Sequence, residues 1–174
     1  MDEIWQSLRC YWVEPGKLLA GALPGRSTLI PLSQQLLLLH QLGVRQIIDL
    51  TQPGENNDGY NAESLKRWND SSRQELHYEQ HSIMDMGIPS YSTMKDILMR
   101  IDECNQAGDA VYVHCFGGLG RTGTVVGCYL VQKGLSAEAA LERIPRLRSA
   151  AGLYNFPSPE VAEQVEYIYN WPKS

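Results

Sequence analysis

The strongest constraint on the fold is the run Val111-Tyr-Val-His-Cys-Phe-Gly-Gly-Leu-Gly-Arg-Thr-Gly123. Ala110 to His114 is short, β-branched and aromatic, and Gly108-Asp109 precedes it, so it reads as a buried strand. Beyond Arg121, the residues Val125, Val126, Tyr129 and Leu130 recur at helical spacing, and Gly134 supplies a stop. A glycine-rich loop therefore joins the end of a strand to the start of a helix. Unpaired amides at a helix N-terminus carry partial positive charge and form an anion site. Gly117, Gly118 and Gly120 let the backbone curl until successive amides point inward.

Cys115 opens this loop and Arg121 closes it. A thiol attacks as thiolate, and both a helix N-terminus and a nearby cation favour that form. The planar fork of Arg121 suits bidentate contact with two phosphate oxygens, which a lysine does not reproduce. The residues thus support phosphoryl transfer to sulfur followed by hydrolysis of the thiophosphate. Phe116, Gly117, Gly118, Leu119, Gly120 and Arg121 are the candidate phosphate-binding residues. Thr122 is placed to hydrogen-bond the Cys115 sulfur and ease its departure, and His114 reads as a buried brace beneath the loop. The other cysteines lack the partner: Cys10 meets Gly16, Cys104 meets Ala110 and Cys128 meets Gly134. Gly118-Leu-Gly-Arg-Thr-Gly123 also matches the dinucleotide fingerprint. That fold needs a second strand ending in an acid, but the downstream segment Ser136-Ala-Glu-Ala-Ala-Leu-Glu reads as a capped helix.

Expelling an alkoxide or phenoxide needs a proton donor. Ser82-Ile-Met-Asp-Met-Gly-Ile-Pro-Ser90 follows a β-like stretch and precedes a helix, with Gly87 and Pro89 marking a turn. Asp85 is therefore the candidate acid. Asp96 and Asp102 on the next helix, and Asp109 in a turn, are weaker candidates.

These residues resemble the cysteine-dependent protein tyrosine phosphatase superfamily, whose loop reads His-Cys, five variable residues, then Arg-Ser/Thr. The match at His114, Cys115, Arg121 and Thr122 has no departure at the defining positions. Asp85-x-Gly-x-Pro-Ser is most similar to the acid loop of cyclin-dependent-kinase-associated and atypical dual-specificity phosphatases. The resemblance implies two further positions. Glu55, in Thr51-Gln-Pro-Gly-Glu-Asn-Asn-Asp-Gly59, corresponds to a glutamate that orients the loop arginine, although a solvated loop glutamate fits as well. Gln164 corresponds to a glutamine that faces the site and positions water, with an exposed helix position as the alternative. Phe116 reads either as pocket wall or as an aromatic in the helix packing. No partner is identifiable for His40, His77 or His81.

The chain has 174 residues, 43% of them hydrophobic, which suffices for one compact core, and 1–174 reads as a single phosphatase domain. Tyr11 to Val13 and Lys17 to Ala20 form an expected hairpin around Pro15-Gly16. Pro31 opens a leucine-rich helix that Gly43 ends. A strand at 45–50, a helix near 61–71 and a strand at 76–83 come next. Ser90 or Ser92 caps a helix with Met94, Ile97, Leu98, Ile101 and Cys104 on one face. Three helices come after the strand at 110–114, the last opened by Pro159 with Val161, Val165 and Ile168 inward. This order predicts an α/β domain with a central mixed, mostly parallel sheet and helices on both faces, as in dual-specificity phosphatases.

Net charge of −5 gives no electrostatic case for nucleic acid or an anionic membrane. No apolar run, Leu36 to Leu39 included, is long enough to span a bilayer, and the acidic N-terminus lacks a secretory pattern. Four cysteines without that pattern point to reduced thiols and a cytoplasmic protein. The expected activity is a monomeric, metal- and cofactor-independent phosphatase acting on phosphotyrosine, and on phosphoserine or phosphothreonine, in phosphoproteins. The uncharged Phe-Gly-Gly-Leu-Gly interior favours phosphoprotein over phosphoinositide or another small phosphate ester. A phosphoprotein-binding module without turnover, and a sulfur-transfer or arsenate-reducing enzyme, are the alternatives.

Overall fold

The computed structural model describes residues 8–26, 29–55, 60–153 and 156–172. The elements in chain order are β1 (Tyr11–Glu14), β2 (Leu18–Ala22), α1 (Leu32–Gln41), β3 (Val44–Asp49), α2 (Ala62–Ser72), β4 (His77–Gln80), α3 (Tyr91–Ala107), β5 (Ala110–Cys115), α4 (Gly120–Gln132), α5 (Ala137–Ala150) and α6 (Ala162–Tyr169). Local chemistry explains several boundaries. Asn61, Ser90 and Ser136 each accept a hydrogen bond from the amide three residues on, which caps α2, α3 and α5. Gly43, at φ +88°, comes after α1 and lets the chain reverse into β3.

The five strands form one sheet in the order β1-β2-β5-β3-β4. The β1–β2 hairpin is antiparallel, and every other neighbouring pair is parallel. The chain is thus an α/β domain with a mixed, mostly parallel sheet. All six residues of β5 are buried, as expected for a central parallel strand covered on both faces.

Strand parity decides what this centre can do. Val111, Val113 and Cys115 join the core built with α3, α4, α5 and α6. Ala110 and Tyr112 join the opposite core, with residues of α1 and α2. His114 belongs with the second set: its ring lies 5.6 Å from the rings of Tyr60 and Tyr112. Cys115 therefore faces the helix that comes after it, and His114 faces away.

Two boundaries differ from the sequence reading. The strand expected over 76–83 pairs as β4 only at His77–Gln80. Beyond it the chain still runs beside the end of β3, with His81 N–H donating to Asp49 O at 2.8 Å and Ile83 N–H to Leu50 O at 3.1 Å. Pro159 does not open the last helix, which begins at Ala162. The amides of Glu160 and Val161 donate to Gln164 Oε1 at 3.1 and 3.4 Å instead, so the helix starts after them. Its buried line is Gln164 and Ile168, with Val161 and Val165 half-buried. Among the described residues, no helix is long and apolar enough to cross a membrane.

Helix α6 is docked on α4 where Gly127 meets Ile168, one turn beyond Gln164; a Cβ at Gly127 would overlap the Ile168 side chain. Gly127→Ala should therefore cost about 1–3 kcal/mol through overpacking. Adding Ile168→Val should recover part of that loss in urea unfolding, whereas purely additive losses would place the contact elsewhere.

Candidate active site

The loop after β5 is held from outside through its carbonyls. Phe116 O accepts from Leu23 N–H at 3.3 Å, Gly118 O from Arg148 Nη1 at 3.1 Å, and Leu119 O from Ser158 Oγ at 2.8 Å. Fixing the carbonyls outward turns the amides the other way. The amides of Phe116, Gly117, Gly118, Leu119 and Arg121 have no hydrogen-bond partner among the described residues. Gly118, at φ +70°, lies against the backbone of β2, and a Cβ there would be 2.5 Å from the Gly21 carbonyl carbon. Only glycine permits both this conformation and this approach.

Cys115 is 3% exposed at the base of the loop. Arg121, in the first turn of α4, is 2% exposed, and its guanidinium joins three segments. Nη1 donates to Glu55 Oε2 at 2.8 Å and Nη2 to Glu55 Oε1 at 2.5 Å, a fork-to-fork pair. Nη1 also reaches Ile83 O at 3.1 Å and Leu50 O at 3.4 Å, and Nη2 lies 2.9 Å from Asp85 Oδ1. Burial opposes the Arg121 charge, but Glu55 and the other anions around it outweigh burial and raise its pKa. Arg121 in turn holds the Glu55 carboxyl below the usual range.

The Glu55 loop is itself braced. Asp49, at the end of β3, accepts from Thr51 N–H and Oγ1 at 2.8 and 2.7 Å and from Tyr78 Oη at 2.7 Å. Glu55 Oε2 also accepts from Gln52 N–H at 2.9 Å, closing the turn. Of the two readings for Glu55, the structure selects the one in contact with the arginine.

Asp85 sits on a turn closed by Gly87 N–H to Met84 O at 2.9 Å, with Met86 at φ +60°. Its carboxylate is exposed yet reaches Arg121. Gln164 is fully buried, which removes the exposed-helix alternative. Its Nε2 donates to Gly87 O at 3.0 Å while its Oε1 holds the amides of Glu160 and Val161. Gln164 therefore ties the Asp85 turn to the segment before α6. Among the weaker candidates, neither Asp96 nor Asp109 pairs with Arg121, and Asp102 pairs with Lys133 at 2.8 Å on another face.

His114 lies buried beneath the loop, with Nδ1 3.4 Å from Cys115 O and 3.8 Å from Asp49 Oδ1. Burial lowers its pKa, against the pull of Asp49. Thr122 is buried, but its Oγ1 has no hydrogen-bond partner, so the expected contact with Cys115 Sγ is not formed in this structure. The neighbouring Thr124 donates to Gly120 O at 2.9 Å. Phe116 is 38% exposed and is not part of the helix packing.

Sequence reasoning missed Glu160, Arg148 and Arg26. Glu160 Oε2 accepts the Gly120 amide at 2.8 Å, and a Cβ on Gly120 would fall 2.7 Å from that oxygen. Arg26 covers the Phe116 ring at 4.5 Å. These residues lie far from the loop in sequence and carry no motif of their own. All four cysteines are free, and among the described residues no group of three or more His, Cys, Asp or Glu side chains gathers as a metal site.

Comparison with known proteins gives this geometry a family. The family model described as "Polymorphic toxin system, DSP-PTPase phosphatase" matches residues 20–135. Phosphatidylglycerophosphatase and protein-tyrosine phosphatase 1 of Rattus norvegicus is 31% identical over 134 residues, covering 76% of this chain and 64% of the relative. Dual specificity protein phosphatase CDC14AB of Danio rerio is 41% identical over 87 residues, covering 43% of this chain and 14% of the relative. The chain thus spans less than two thirds of the length of either. Among solved structures, Tk-PTP in its active form superposes with a TM-score of 0.73 at 24% identity, covering 94% of this chain and 95% of the other. Kinase associated phosphatase with its catalytic-site cysteine changed to serine gives 0.73 at 20% identity, covering 93% and 92%. Those two likenesses speak for the fold, and the family match speaks for descent: the chain belongs to the DSP-PTPase phosphatases, within the cysteine-dependent protein tyrosine phosphatase superfamily.

Proposed function

We propose that the protein is a phosphoprotein phosphatase that hydrolyses phosphotyrosine, and phosphoserine or phosphothreonine, through a cysteinyl-phosphate intermediate. The observation that carries this reading is the approach of Asp85 to Arg121, 2.9 Å between Oδ1 and Nη2. A carboxyl far from the loop in sequence thereby reaches the anion site of the candidate nucleophile.

In the first step, Cys115 Sγ forms a bond to phosphorus while the bond to the leaving oxygen breaks, and Asp85 gives that oxygen its proton. The loop amides and Arg121 bind the charge on the phosphoryl oxygens. An incoming phosphate displaces Asp85 from Arg121 Nη2, while Glu55 keeps the guanidinium in place. In the second step, the Asp85 carboxylate takes a proton from water as its oxygen bonds to phosphorus and the sulfur–phosphorus bond breaks. Thr122, whose buried hydroxyl has no competing partner, is the proposed donor to the departing sulfur. His114 supports the loop from the far face, and Gln164 positions the Asp85 turn through Gly87. The chemistry requires no metal or cofactor in this account.

The uncharged loop interior supports a phosphoprotein substrate, and so does the protein-tyrosine phosphatase in the name of the Rattus norvegicus relative, although that name also carries a phosphatidylglycerophosphatase. A second reading is phosphoprotein binding without turnover.

Hydrolysis of para-nitrophenyl phosphate separates the readings. The wild type should turn over and Cys115→Ser should fall to background; an inactive wild type that still binds phosphopeptides would establish the binding module, and activity on arsenate or thiosulfate alone would establish the other chemistry. Asp85→Asn should lower kcat by about 10²–10⁴-fold, most for poor leaving groups, and flatten the acidic-to-neutral pH profile. Unchanged kinetics would move the acid elsewhere.

The Glu55–Arg121 pair makes a prediction about stability. Because the folded-state pKa of Glu55 is depressed, its stabilisation is present above the unfolded value of about 4.3 and is lost as pH falls through the folded value. Glu55→Gln should thus be less stable than wild type at pH 7, with the gap in urea midpoint closing below about pH 4. A gap independent of pH would show that the charge on Glu55 does not matter.

A further inference from the structure

One amide of the loop is already taken. Gly120 N–H donates to Glu160 Oε2 at 2.8 Å, while the amides of Leu119 and Arg121 on either side have no partner among the described residues. Glu160 belongs to the segment before α6, which grips the loop at two adjacent points, since Ser158 Oγ donates to Leu119 O at 2.8 Å. The fit is close: a Cβ on Gly120 would stand 2.7 Å from Glu160 Oε2 and 2.9 Å from Gln164 Nε2. The Glu160 backbone is fixed, with its amide donating to Gln164 Oε1 at 3.1 Å, yet the residue is exposed. No Lys, Arg or His pairs with its carboxylate among the described residues. Neither step of the proposed reaction uses it.

We propose that Glu160 is an internal competitor for the phosphate loop: it holds the Gly120 amide in the free protein, yields it to a phosphoryl oxygen, and returns as inorganic phosphate leaves. Glu160 thereby sets how tightly the loop holds phosphate. This rests on the reading of the loop as a phosphate site. A backbone amide has one hydrogen to donate. A phosphoryl group entering the loop either forgoes Gly120 N–H or displaces Glu160, and in both cases it meets a negative charge that no protein cation neutralises. The displaced carboxylate moves into water but stays tethered at the rim by the Glu160–Gln164 bond, so its return is intramolecular. Unpartnered amides and a buried guanidinium favour retention of the phosphate product, and a carboxylate at the rim opposes it. Asp85 differs, because it leaves Arg121 in order to move a proton. A purely structural role for Glu160 has the opposite sign. Leu119, at the N-cap of α4, makes no side-chain cap bond, so Glu160 also supplies an anion at that helix end. A carboxylate that only ordered the loop in this way would strengthen phosphate binding, whereas a competitor weakens it.

The test is the dissociation constant of inorganic phosphate for the full chain at pH 7, measured by phosphorus NMR titration and again as the inhibition constant against para-nitrophenyl phosphate. Glu160→Gln removes the charge and keeps an acceptor for Gly120 N–H; Glu160→Ala removes both. Phosphate should bind Glu160→Gln about twofold to tenfold more tightly than wild type, the range an exposed charge exerts on a dianion, and the difference should shrink with added salt. Glu160→Ala should bind at least as tightly as Glu160→Gln. Glu163→Gln, which removes an exposed charge from the first turn of α6, should leave the constant unchanged. Urea midpoints without phosphate identify any variant that fails to fold, and Glu160→Gln, isosteric and at an exposed position, supplies the deciding value. Affinity unchanged or weakened in Glu160→Gln would overturn the proposal and leave Glu160 as a cap of α4. A fall in kcat with unchanged affinity would overturn it in favour of proton transfer by Glu160. No phosphate binding by the wild type or any variant would overturn the phosphate-site reading as well.

Discussion

The rest of the site depends on the buried guanidinium of Arg121. A cation that is 2% exposed persists only when its charge and its donors are matched, since an unpaired buried charge costs several kcal/mol. Here Glu55 supplies the matching fork, Ile83 and Leu50 supply carbonyls, and Asp85 completes the set. The loop after β3, the turn after β4 and the first turn of α4 are thereby held at one point. The same contacts that meet the cost of burial bring the candidate acid to the arginine of the phosphate loop.

The sheet makes that convergence possible. β3, β4 and β5 are parallel, so their C-terminal ends meet at one edge, and the segments leaving them carry Glu55, Asp85 and Cys115. Parity on β5 then separates roles between adjacent residues, with Cys115 facing α4 and His114 facing the other core. Close backbone approach finishes the geometry. Gly118 rests on Gly21, and Gly120 sits under Glu160 and Gln164, so the loop is positioned by contacts that tolerate no side chain.

The strand, loop and helix around Cys115 were legible because glycine spacing and the switch from β-branched to helical pattern are local signals. Asp85 could be placed on a turn from Gly87 and Pro89, but its approach to Arg121 could not be read from the sequence. Glu55 and Gln164 could be named but not decided, since a loop carboxylate and a helix amide look alike in sequence whether exposed or buried. Glu160, Arg148 and Arg26 were not legible at all. Their importance comes from tertiary contacts with loop carbonyls, a loop amide and a ring, and nothing in the neighbouring residues marks them. The start of the last helix was misplaced for a related reason: Pro159 is a fair first-turn signal, but Gln164 captures the amides that would have opened the helix there.

The central claim is that phosphate passes through Cys115. Rapid acid quench during turnover of para-nitrophenyl phosphate, with mass analysis of the peptide containing Cys115, tests it most directly. The account predicts a phosphoryl group on that cysteine within the first turnover, more abundant in Asp85→Asn when hydrolysis of the intermediate is slowed and the leaving group is good. Steady release of phosphate with Cys115 never modified would contradict it.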